Sequence, residues 1–168
     1  NQVQDKIDSG FNIVFSSTVP IGAGLSSSAA LECGFLYGLN YFFALGLDKR
    51  QIAKMGQKAE HTFAGVNCGI MDQFASVFGK ENSVIFLDCD TLDYQYAPAD
   101  FGDYTLLLLN TNVKHNLQTS EYNNRRKECE AGISIIKNKY PEVQNFREAT
   151  MEMVEDLKNE MGDVVYRR

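Results

Sequence analysis

The sequence has no tryptophan, three prolines, two histidines and no pair of cysteines at CxxC spacing. Cys33, Cys68, Cys89 and Cys129 lie far apart, and two lone histidines do not extend them into a ligand cluster. A structural zinc site or an iron–sulfur centre is therefore not expected. Four cysteines in 168 residues are also too sparse for a disulfide scaffold, which favours a reducing, cytoplasmic setting. The chain lacks a basic excess: 16 Lys and Arg stand against 22 Asp and Glu, a net charge of -6. This balance disfavours nucleic acid and anionic membrane as partners but leaves a small anionic ligand open. The longest apolar stretch, residues 35–47, is too short and too interrupted to cross a bilayer. Residues 1–5 are polar and show no signal-peptide pattern.

What is present suits one domain of ordinary size. Apolar residues make up 44% of the chain, and eleven Phe and eight Tyr supply bulk for a core. β-Branched and aromatic residues from Phe11 to Val19 predict a strand that stops at Pro20, with Gly22 and Gly24 in a tight turn beyond it. Residues 26–45 predict a helix capped by Ser26 or Ser27 and closed at Gly46; apolar residues on most of its faces predict that it is largely buried. Asp48 and Gln51 form a capping-box pattern for a second helix carrying Ile52, Met55, Ala59 and Phe63. A third helix is expected from Ile70 to Phe78. Strands are expected over 83–87, 94–96 and 104–109, the first two joined by a turn containing Asp88, Asp90 and Asp93. A long helix from Ser120 stops at Pro141, and a last one covers 151–160. Strand, helices, strands, then helices is an α+β order, with a boundary near 111–119.

Two segments carry chemistry. In Pro20–Ala30, two glycines and Ser26, Ser27 and Ser28 stand between the expected strand and helix. N–H groups at a helix start favour phosphate, and the glycines allow a ligand to approach the backbone. The segment is neither a Walker A loop nor a dinucleotide fingerprint. A capped helix after a glycine turn explains the same composition equally well. In the second segment, Glu60 to Gln73, Asp72 falls in the first turn of a helix preceded by Gly65 and Gly69. There it either takes a proton from a hydroxyl or merely offsets the helix dipole. Glu60 has the oxygen chemistry that magnesium prefers, whereas a lone His61 reads as structural.

Both segments resemble motifs of the GHMP family of small-molecule kinases. Pro20–Ala30 is similar to the family's phosphate-binding motif. Ala59–Gly65 with Cys68–Gln73 is similar to the members that phosphorylate galactose, and Thr119–Arg126 adds a third match. The resemblance implies a GHMP kinase fold, with a ribosomal protein S5 domain 2-like N-terminal half over residues 1–115 and the start of a mainly helical C-terminal domain over 116–168. It implies ATP and galactose as substrates and Mg2+ as cofactor. Gly22, Gly24, Leu25, Ser26, Ser27 and Ser28 would cradle the ATP phosphates, and Ser28 and Glu60 would lie near the magnesium. Asp72 would face the anomeric hydroxyl of the sugar. Gly69 and Tyr122 would complete the sugar site, and Asn67 would help shape the loop. Nothing before Phe11 resembles the family's sugar-binding segment with its catalytic arginine, so the chain is expected to be a central piece with little activity by itself. Two other readings remain open: a sugar- and nucleotide-binding regulator of the same fold, and a GHMP kinase for another small molecule.

Overall fold

The structure, a computed structural model, describes residues 6–109 and 121–168. The chain divides into two compact units, residues 1–116 and 117–168.

In the first unit, α1 (Ser27–Phe42), α2 (Lys49–Ala59) and α3 (Met71–Phe78) pack against one another. The Asp48 side chain accepts from the Gln51 N–H while the Gln51 side chain accepts from the Asp48 N–H, so the expected capping box opens α2. At its other end α2 runs into a π-helical turn, Glu60–Ala64, closed by Gly65 at φ 68°. A hairpin follows α3. Strands β1 (Ser83–Leu87) and β2 (Tyr94–Pro98) are antiparallel, in register from Ser83 opposite Pro98 to Leu87 opposite Tyr94. Asp88 organises its turn: one carboxylate oxygen accepts from the N–H groups of Asp90 and Thr91. The core is Ala53, Ile70, Phe74, Phe78 and Leu92. The Phe74 and Phe78 rings stack at 4.0 Å, and Tyr96 donates to the Phe78 carbonyl at 2.6 Å, tying the hairpin to α3.

Three expectations for this unit change. Residues 11–19 and 104–109 have strand composition but join no ladder among the described residues, whose single sheet is β1–β2. A strand is a property of a pair: β-propensity describes fit to a pleated neighbour, and neither segment has one here. Phe11 and Phe15 instead set their rings against Phe35 of α1, while Val14 is 95% exposed. Helix α1 is not largely buried. Ala29, Cys33 and Leu39 face α2 and α3, whereas Leu31, Tyr37, Tyr41 and Phe42 lie open, because helices pack on one side of it only. It also stops before Gly46: the Asn40 side chain binds both the N–H and the carbonyl of Leu47, folding 43–47 back after Ala44 turns left-handed at φ 47°.

The second unit consists of α4 (Glu121–Lys139), α5 (Met151–Asp156) and α6 (Lys158–Arg167). Ile136, Val143, Leu157 and Met161 form its core. The single helix expected over 151–160 is two, because Leu157 leaves helical geometry at φ -101°, ψ 7°, and α6 is broken again at Gly162. Gly132 allows α4 close to α6: a Cβ there would lie 3.3 Å from Val165. Asp156 joins α5 to the end of α4, accepting from Tyr140 Oη and pairing with Lys139, both at 2.6 Å. Among the described residues no helix is long and apolar enough to cross a membrane.

Candidate active site

The glycine–serine segment enters α1 through three left-handed residues at alternate positions: Gly22 at φ 71°, Gly24 at φ 73° and Ser26 at φ 56°. Glycine adopts this conformation freely, but a serine does so only under strain, of the kind that concentrates at binding sites. The expected side-chain cap is absent, since neither Ser26 nor Ser27 accepts from the helix start, and the residue at the cap position, Ser26, is left-handed instead of extended. The first backbone bond of the region is Ala30 N–H to the Ser26 carbonyl at 3.0 Å. The N–H groups before it are the orphan donors that any helix start presents.

Asp72 stands in the first turn of α3, exposed, its carbonyl accepting from Ser76 Oγ at 2.9 Å. The preceding loop is held from α2 and the π-turn. The Cys68 carbonyl accepts from Gln57 Nε2 at 3.1 Å and lies 2.8 Å from His61 Nε2. His61 thus anchors the loop. Gly69 is the residue after that anchored carbonyl and two before α3.

A cavity of about 680 Å³ brings the two segments together. Leu25 and Ser26 line it from the glycine–serine loop, Asp72 and Ser76 from α3, and Lys49 from the start of α2. Gly22, Gly24, Ser27 and Ser28 do not line this cavity, and Glu60 lies elsewhere. Tyr122 belongs to the second unit, at the beginning of α4, where it is partly exposed.

Glu60 is 4% exposed, one of two buried polar residues among the described residues, with Gln73 at 1%. Near it lies Glu32 of α1. Burial, and then the charge of Glu60, push the Glu32 carboxyl up to about 7, opposed by a side-chain hydrogen bond from Gln73. Burial, and then the charge of Glu32, push the Cys33 thiol up to about 11. Sequence reasoning passed over Glu32, Lys49 and Gln73. The signal for Glu32 was available: it is the lone charge in the apolar run Ala29–Ala30–Leu31–Glu32–Cys33. Among the described residues no group of three or more His, Cys, Asp or Glu converges as a metal site. The fit to magnesium rests on donor chemistry. Ser28 and Glu60 offer hard oxygen donors, and this ion commonly takes one or two carboxylates and fills its remaining positions with water and phosphate oxygens. The charge of Glu60, which helps to raise the half-buried Glu32 carboxyl, would also be relieved by a cation.

Residues 1–80 match the family model described as GHMP kinases N terminal domain. The galactokinase of Thermosipho africanus is 47% identical over 156 residues, covering 93% of this chain and 42% of that protein. That of Clostridium tetani is 47% identical over 150 residues, covering 89% and 38%. The solved structure of Lactococcus lactis galactokinase complexed with galactose superposes with a TM-score of 0.81 at 34% identity, covering 89% of this chain and 38% of that one. Over residues 1–80 the chain belongs to the GHMP kinase family, with the α+β fold of the family's N-terminal domain. It spans about two fifths of the length of the relatives it matches, which are galactokinases.

Proposed function

We propose that the gene product containing this chain transfers the γ-phosphoryl group of ATP to the anomeric hydroxyl of galactose. The observation that carries the reading is the shared cavity: Ser26 of the strained loop and Asp72 of α3 line the same space. Phosphoryl transfer asks mainly for alignment and charge neutralisation. Backbone N–H groups from Gly22 to Ser28 meet the phosphates at the start of α1, where anions are favoured. Asp72 accepts the proton of the attacking hydroxyl and orients its oxygen; the oxygen–phosphorus bond forms as the bond to ADP breaks. Ser28 and Glu60 hold magnesium, which when bound neutralises charge on the phosphates. Gly69 shapes the loop that presents Asp72, and Tyr122 contacts the sugar from residues 116–168, the start of the family's second domain. The four free thiols support a cytoplasmic setting.

The test is the product made by the full-length gene product. With ATP, magnesium and a panel of galactose, other sugars, mevalonate and homoserine, phosphorus NMR should show galactose 1-phosphate and ADP in equal amounts. Faster transfer to another acceptor would replace galactose in the assignment. Binding of both galactose and ATP without transfer would instead support a regulator of the same fold.

A further inference from the structure

A second cavity, of about 880 Å³, is lined from α1, from α2 and from the segment that joins them. It shares no lining residue with the cavity of Ser26 and Asp72, so the proposed transfer gives it no role. Its size falls within the range of pockets that take whole small molecules, about 300–1,000 Å³. Phe35 and Leu36 of α1, Met55 of α2 and Phe63 of the π-turn give it an apolar lining. Phe63 is 87% exposed, an aromatic ring left in water that a flat apolar partner would cover.

Three ammonium groups line the same space, those of Lys6, Lys54 and Lys58. Lys6 is held there: its Nζ donates to the Leu45 carbonyl at 2.8 Å, which leaves the other two of its N–H groups for a ligand. Lys54 and Lys58 stand one turn apart on α2, a spacing at which like charges weaken a helix. The helix dipole accounts for Lys58, which lies in the last turn, but not for Lys54. Among the described residues neither forms an ion pair, and neither does Glu32, the one acid that lines the cavity. Neutralising Glu32 is therefore not what the lysines do. In a chain of net charge -6, three cations facing one carboxyl reverse the local sign, and a cleft of one sign concentrates the opposite charge. We propose that this cavity is a second ligand site, one that takes a small aromatic anion. The flat body of the ligand lies against Phe63 and Met55, and its sulfonate, carboxylate or phosphate head meets Lys6, Lys54 and Lys58. The proposal does not depend on the reaction assigned to the other cavity.

The probe is 1-anilinonaphthalene-8-sulfonate, an aromatic anion that fluoresces in apolar surroundings, titrated into the full-length gene product. Its uncharged counterpart N-phenyl-1-naphthylamine serves as control. The variants are Lys54→Gln with Lys58→Gln, Lys54→Arg with Lys58→Arg, and Phe63→Ser, each with a melting curve. One saturable site is expected, with a Kd on the order of 10–100 µM for an anion of this size. The glutamine pair should weaken it about tenfold, the arginine pair should stay within about threefold, and Phe63→Ser should weaken it about three- to tenfold. The uncharged probe should bind about tenfold more weakly, and 0.5 M salt should weaken the anion about fivefold. Should the glutamine pair fail to fold, Phe63→Ser, salt and the uncharged probe are read by the same limits. The proposal is overturned if no saturable binding is seen in the full-length protein. It is equally overturned if the folded variants bind within about twofold of the parent, which places the probe elsewhere. Equal affinity for the two probes would mean apolar adsorption only and would overturn it as well.

Discussion

Gly56 and Cys33 meet where α2 crosses α1: a Cβ built on Gly56 would stand 3.0 Å from Cys33 Sγ. In most helix interiors Gly→Ala stabilises by up to about 1 kcal/mol through propensity. Here the added methyl must displace Cys33 and Gln73, and overpacking of a filled core costs roughly 1–3 kcal/mol. Gly56→Ala is expected to lower thermal stability by a net of about 1–2 kcal/mol, and Cys33→Ala in the same chain should recover part of that loss. A melting temperature that rises for Gly56→Ala alone would show that the helices are not in contact there.

Phe74 is the centre of the first unit's core, stacked on Phe78 and edge-on to Tyr94 at 5.3 Å. Phe74→Ala should destabilise by about 3–5 kcal/mol, with loss of the cooperative transition if the parent is less stable than that. Val14→Ala, at an equally apolar position that lies in the open, should change stability by less than about 0.5 kcal/mol. Chemical denaturation of both variants separates the two cases.

The thiols should differ sharply in reactivity. The Cys33 thiol is buried, and burial together with the Glu32 charge pushes it up to about 11. Raising a thiol's pKa keeps it protonated over the whole neutral range, and thiolate appears only as pH approaches that value. Cys89, exposed in the hairpin turn, should therefore be alkylated first. Cys33 should remain unmodified in the native chain at about pH 8 and react only on unfolding. Mass spectrometry after timed alkylation reads both sites, and equal rates for the two would contradict the packing of α1 on α2 and α3.

Much of the helical architecture was readable because its signals are local. Asp48 and Gln51 announce the start of α2, and the spacing of Ile133, Ile136 and Tyr140 marks α4. The hairpin was legible through its aspartate-rich turn. The segments at 11–19 and 104–109 were misread because β-propensity says nothing about whether a partner edge is present. Ser26 was misread for a related reason. Its residue type favours a cap, and only the backbone on either side decides that it is left-handed. At the site, Ser26 and Asp72 could be named from their segments, but their common cavity is tertiary. Glu32 stands out in the sequence as a lone charge in an apolar run, whereas Gln73 is recognisable only once its burial is known.

The central claim is that Asp72 acts on a hydroxyl across the cavity it shares with Ser26, as opposed to offsetting the dipole of α3. A dipole role at an exposed site is worth about 0.3–1 kcal/mol, and Asn would keep part of it. The measurement is single-turnover transfer from ATP to galactose by Asp72→Asn in the full-length gene product, with ATP and galactose binding determined by calorimetry on the same sample. The account predicts both ligands bound near parental affinity, an unchanged melting curve, and transfer slowed by about 10²–10⁴-fold. A folded variant that transfers at more than about a tenth of the parental rate would contradict it.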